Sequence, residues 1–195
     1  MKETRKNKVL ALCQCGIFVA LATILSFLPV YEMPMGGSVT LASMLPILLI
    51  GIKFGYKWGL GASTTYMFIQ LLQALIKGNV FVYCQGAIAV IVCLLFDYVV
   101  PFSILGLSAF AKPKSGEGIN IVKTCITFSV LIFVRFVCHF VTGIVIWGQW
   151  APEGMGKFVY SLIYNGQYML PELIITVVVT ALLLSSKQIE KQLEN

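Results

Sequence analysis

Apolar residues run through this chain in long unbroken stretches, not in the alternating or one-faced patterns of a soluble domain. No charge interrupts Val9–Tyr31, Met33–Ile52, Trp58–Ile76 or Gly78–Phe96. Stretches of about 18 or more such residues read as membrane spans. Lipid offers the backbone no partners, so spans are helices or closed barrels, and runs this continuous lack the alternation of barrel strands. The pattern predicts an all-α, polytopic membrane protein. It forms a single membrane domain over residues 1–195, a bundle of six transmembrane helices at about 9–30, 41–52, 58–76, 85–110, 119–147 and 158–185. The second is short unless its flanking loop is partly immersed.

Composition agrees. The chain is 58% apolar and 11% charged, against about 25% charged in soluble domains. Its net charge of +6 does not point to nucleic acid, because the basic residues gather at span ends, where they set topology. With six spans, one side holds Lys2, Arg5, Lys6, Lys8, Lys53, Lys57, Lys112, Lys114, Lys123, Lys187 and Lys191, and the other only Lys77 and Lys157. This bias places both termini in the cytoplasm of a multi-pass plasma-membrane protein. The external segments are then Tyr31–Thr40, Lys77–Cys84 and Gly148–Lys157. The basic N-terminus followed by an apolar run superficially resembles a secretion signal, but the run is too long and further spans follow, so it reads as a retained helix.

Several chemistries lack their signatures. The six cysteines form no C-x-x-C pair, and nearly all sit in apolar runs as small hydrophobes, so no metal site is expected. Gly118 to Thr124 lacks the second glycine of a phosphate-binding loop. There is no H-E-x-x-H or G-x-S-x-G. The chain is expected to be no enzyme, to carry no cofactor and to hydrolyse no ATP by that route. No internal repeat suggests a transporter of duplicated halves.

Ionisable groups within spans cost about 2.5–3.5 kcal/mol each on insertion scales, which makes each a functional candidate. Here they are Asp97, Arg135, His139 and Glu172. Arg135 reads first as a packing cation that neutralises Asp97 or Glu172, or reaches the interface. Arg135, His139, Gly143 and Trp147 recur every four residues, a single helical stripe. It is either a packing face with one satisfied histidine or a pocket wall, with Gly143 leaving room beside the Trp147 ring. Tyr160, Tyr164, Tyr168 and Glu172 repeat the spacing, with Asn165 beside them. The aromatics also suit interface anchoring, whereas an amide inside a span needs a partner. Asp97-Tyr98 in the fourth span suits a cationic or aminopyrimidine-like ligand.

These residues carry a resemblance. Arg135 through Gly154, continuing into Tyr160–Gly166, is similar to the C-terminal signature of the thiamine-specific S components of energy-coupling factor vitamin importers. Met33–Thr40 resembles their first external loop, and Asp97-Tyr98 with Pro101–Gly106 their acidic-tyrosine helix. The resemblance spans nearly the whole chain. It implies a six-helix bundle that captures thiamine from outside and docks on a transmembrane T component bearing two ATPases, which use the ATP. The implied ligand residues are Asp97, Tyr98, His139, Gly143, Trp147, Tyr160 and Asn165. Met33, Pro34, Gly36, Gly37 and Ser38 would form a lid, and Gly16 with Ala20 a small-residue docking face. On the residues alone, an importer subunit for another small vitamin or precursor such as hydroxymethylpyrimidine, a standalone secondary transporter and a membrane enzyme stay open.

Overall fold

The computed structural model describes residues 2–78, 81–114 and 116–194. Helix α1 spans Lys2–Ser26. It buries Ala11, Cys15, Val19 and Ala22 and turns Leu12, Ile17, Leu21 and Ile24 outward, one stripe at helical period. The expected span to residue 30 stops at Ser26, because Pro29 has no N–H and disfavours helical backbone at Leu28. Two short antiparallel strands follow, β1 (Tyr31–Glu32) and β2 (Ser38–Val39). This hairpin was not legible as strand in the sequence.

Helix α2 runs over Leu45–Phe54, with Pro46 in its first turn and Gly55 ending it at φ 85°. Ten residues rise only about 15 Å, half of a hydrocarbon core of about 30 Å. The shortness is tolerable because every residue from Leu45 to Ile52 is buried by other helices. The approach to it, Thr40 and Ala42 to Met44, is buried as well. Irregular backbone at membrane depth is allowed where protein surrounds it.

Helix α3 (Tyr56–Lys77) ends at a left-handed Gly78. Near its start, a Cβ on Gly106 would lie 2.6 Å from the Gly59 and Leu60 backbone. This close approach lets α3 pack directly on the fourth segment, as small residues do between membrane helices. The fourth segment is not one regular helix. Helix α4 (Ala87–Cys93) widens into a π-helical stretch at Leu94–Val99, then α5 (Val100–Ser103) and a 3-10 stretch at Ile104–Ala111. Pro101 explains the break: it cannot donate to the Asp97 carbonyl and its ring crowds that group. Just before it, the Val100 N–H reaches back to the Leu95 carbonyl, five residues away.

Helix α6 (Ile121–Val145) begins at Asn120, whose side chain accepts from the Lys123 N–H. Helix α7 (Lys157–Ser185) is polar on its inner face: Ser161, Asn165, Glu172, Thr176 and Thr180 are buried, while Leu170, Ile174, Val178 and Leu182 face outward. That inversion of soluble-protein patterning is what a lipid surround requires. Helix α8 (Lys187–Glu194) was missed by hydropathy because its sequence is largely polar. It buries Leu193, takes a Lys53 Nζ bond on the Gln192 carbonyl, and accepts from the Ile119 N–H through Glu194.

Among the described residues, four segments are long and apolar enough to cross a membrane: Asn7–Ser26, Ala87–Ala111, Ile121–Val145 and Lys157–Ser185. With the more polar α3 and the enclosed α2 they make a polytopic six-segment bundle. Lys53, Lys112 and α8 meet at one end. Lys77 is at the other, paired with Glu32 of the hairpin.

Candidate functional site

At the hairpin end a cavity opens between α3, the fourth segment, α6, α7 and the loop joining β1 to β2. The structure places Asp97, Tyr98, His139, Gly143, Trp147, Tyr160 and Asn165 in its wall.

Asp97 sits in the π-helical stretch, a form of helix that often marks functional positions. His139 Nδ1 lies 2.9 Å from its Oδ1, Thr142 Oγ1 donates to the same oxygen at 2.5 Å, and Trp147 Nε1 donates to Oδ2 at 3.2 Å. An ionised carboxylate offers about four acceptor positions, so one on Oδ2 is left for a ligand. Thr142 falls between the stripe positions His139 and Gly143 and was missed; its hydroxyl could have been noticed as the one polar side chain there.

Arg135 corrects an expectation. Among the described residues it forms no ion pair with Asp97 or Glu172. Its guanidinium stacks on Phe102, 4.2 Å from the ring centroid, while Nε donates to His139 Nε2 at 3.3 Å and another nitrogen meets the Met44 sulfur at 2.7 Å. The ring supplies the negative face that a carboxylate would otherwise supply. With Nε2 accepting, His139 carries its proton on Nδ1 and donates to Asp97. Tyr98 stacks between Phe81 and Phe102, which makes an aromatic wall of the fourth segment.

Asn165 ties α6 to α7. Its Nδ2 donates to the His139 carbonyl and to Ser161, and its Oδ1 accepts from Tyr168 at 2.8 Å. Both donors are therefore committed to protein. Gly143 is required by the same contact, since a Cβ there would meet Ser161 Oγ and Asn165 Nδ2. Trp147 begins a 3-10 turn, Trp147–Trp150, beyond the end of α6. Tyr83, from the turn after α3, packs edge-on to Trp147 and Trp150; residues 79 and 80 of that external segment lie outside the described set.

The loop between β1 and β2 covers the cavity. Gly36, Gly37 and Ser38 line it, as does Met35, which the sequence reading did not single out. Met33 and Pro34 do not line it: Met33 packs into the bundle interior and Pro34 points outward. The tip rests on the tyrosine ladder of α7. Tyr164 accepts from the Met35 N–H at 2.9 Å and donates to the Gly36 carbonyl at 3.1 Å. Gly37, at φ 88°, leaves no room for a Cβ against the Tyr168 ring.

Glu172, the remaining intramembrane acid, does not line the cavity but holds the base of this loop. It accepts from the Thr40 N–H and, at 2.6 Å, from the Thr40 hydroxyl. Beside this clamp Ala42 takes a left-handed φ of 56°. Glu172→Leu keeps similar bulk and strands the buried Thr40 N–H, which costs about 1–3 kcal/mol. A lowered thermal unfolding midpoint in detergent is expected; an unchanged midpoint would show that the clamp has no energetic weight.

A helical membrane bundle with a covered cavity, walled by a carboxylate, an imidazole and stacked aromatics, defines a small-molecule-binding membrane protein. The family follows from comparison: residues 12–192 match the thiamine transporter protein family (Thia_YuaJ), and this chain belongs to it. The thiamine transporter ThiT of Bacillus subtilis (strain 168) is 35% identical over 188 residues, covering 92% of each chain. That of Lacticaseibacillus paracasei is 27% identical over 187 residues, covering 92% of this chain and 89% of its own. A solved structure of ThiT from Listeria monocytogenes shares the fold with a TM-score of 0.69 at 21% identity, covering 97% of this chain and 100% of that one. The family is one of transporters, not enzymes.

Proposed function

We propose that this chain is the thiamine-capturing S component of an energy-coupling factor importer. It binds thiamine under the loop that joins β1 to β2, on the outer face, with both termini in the cytoplasm. It then delivers the vitamin through a T component driven by two ATPases. The observation that carries the reading is the partly buried Asp97 carboxylate, held by His139, Thr142 and Trp147 in the wall of a covered cavity. Thiamine joins a cationic thiazolium to an aminopyrimidine. Trp147 offers its face to the cation, worth about 0.5–2 kcal/mol. The open position on Asp97 takes an amino hydrogen, and the lone pair left on Asn165 Oδ1 is a second acceptor. ATP-driven uptake needs partner subunits in this reading, because the sequence has no phosphate-binding loop of its own.

The test is a titration of purified protein with thiamine, read by tryptophan fluorescence. Quenching is expected, with most of the quench and much of the affinity lost in Trp147→Ala. Undiminished binding by that variant in calorimetry would rule out the stacking role. Tighter binding of free hydroxymethylpyrimidine than of thiamine would change the vitamin.

A further inference from the structure

The α3 wall of the cavity is unused by the ligand contacts described so far. Gln70, Gln73, Ala74 and Lys77 line it, on one helical face by their spacing. Ser26 of α1 and Glu32 of β1 complete that side.

Most polar groups there already have partners. Gln73 Nε2 donates to Ser26 Oγ at 2.9 Å, and Ser26 donates onward to the Thr23 carbonyl at 2.7 Å. Lys77 is paired with Glu32. Gln70 differs: its Nε2 is buried and makes no hydrogen bond among the described residues. A buried donor left unmade costs about 1–3 kcal/mol, and native structures rarely leave one without a reason. In a cavity wall, the reason that meets the cost is an acceptor supplied by the ligand.

We propose that Gln70 is a specificity-determining residue whose side-chain amide hydrogen-bonds the hydroxyl at the end of thiamine's hydroxyethyl arm. This rests on the thiamine reading above. A primary amide presents a donor beside an acceptor, and a hydroxyl does the same, so the two are complementary. The surroundings favour an uncharged group. Among the described residues the cation in this wall, Lys77, is already paired with Glu32, so no free positive charge is left there to hold a phosphate ester. The arrangement therefore selects the free alcohol over its phosphorylated form.

The experiment compares thiamine with an analogue whose hydroxyethyl arm is replaced by ethyl, each bound calorimetrically to the full chain and to Gln70→Leu. Wild-type protein should bind the analogue roughly three- to tenfold more weakly, the range of one net hydrogen bond. Gln70→Leu should lose the same factor for thiamine and nothing further for the analogue, whose unchanged affinity also reports an intact fold. Gln70→Asn, which withdraws the amide by one methylene, should show the same pattern. If Gln70→Leu weakens both ligands equally, or neither, the inference is overturned while the thiamine reading stands. Wild-type protein that binds neither ligand overturns both.

Discussion

Asp97→Asn is expected to weaken thiamine binding by tenfold or more while lowering the unfolding midpoint only slightly. The substitution keeps volume and shape but removes the negative charge that faces a cationic ligand. Three donors converge on this carboxylate, from His139, Thr142 and Trp147. An amide presents its own N–H₂ to at least one of them, so the local network must turn as well. Hydrogen bonds to a charged group are worth about 1.5–3 kcal/mol, and about 1.4 kcal/mol is a factor of ten in affinity. Thr142→Val serves as the companion, since it removes a donor to Asp97 while leaving the charge. It should fall between wild type and Asp97→Asn. Affinity of Asp97→Asn within twofold of wild type would make this carboxylate a packing element of the bundle.

The second large effect concerns coupling. Gly16→Trp combined with Ala20→Trp should abolish thiamine uptake in cells while leaving thiamine binding to the isolated protein intact. Gly16 and Ala20 lie on the outward side of α1, opposite the buried Ala11, Cys15, Val19 and Ala22. A side chain added at Gly16 meets nothing within 4 Å. Both positions are exposed, so indoles there are expected to leave the bundle intact. They do block the close backbone approach that small residues permit between membrane helices. Loss of both uptake and binding would place this face inside the folded unit. Full uptake in cells lacking every ATPase partner would refute the importer assignment.

Much of the architecture was legible because lipid imposes a plain rule on sequence. The long apolar runs and the grouping of Lys and Arg marked six segments. Lys53, Lys112 and α8 do meet at one end, with Lys77 at the other. What was not legible depended on tertiary surroundings. Helix α2 can be so short because neighbouring helices enclose it, which no window of hydropathy records. The π-helical stretch that carries Asp97 depends on how Pro101 is accommodated, and a proline is compatible with several kinds of break. Helix α8 is too polar for a hydropathy scan and was passed over. At the site, four-residue spacing grouped Arg135, His139, Gly143 and Trp147 on one stripe, and all four line the cavity. Spacing could not say that Arg135 would be met by Phe102 and not by an acid, because that contact joins residues far apart in the chain. Nor could it separate Glu172, which clamps Thr40, from the tyrosines above it on the same helix. The α3 wall was passed over because Gln70 and Gln73 read as ordinary polar interruptions of a span.

The most direct measurement is calorimetric titration of thiamine into purified wild-type protein and into the Asp97→Asn and Trp147→Ala variants, each checked for an intact fold by thermal unfolding. One saturable site per chain in the wild type, with affinity sharply reduced in both folded variants, is the result expected if the covered cavity is the thiamine site. No binding by wild-type protein, or binding that neither substitution alters, would contradict it.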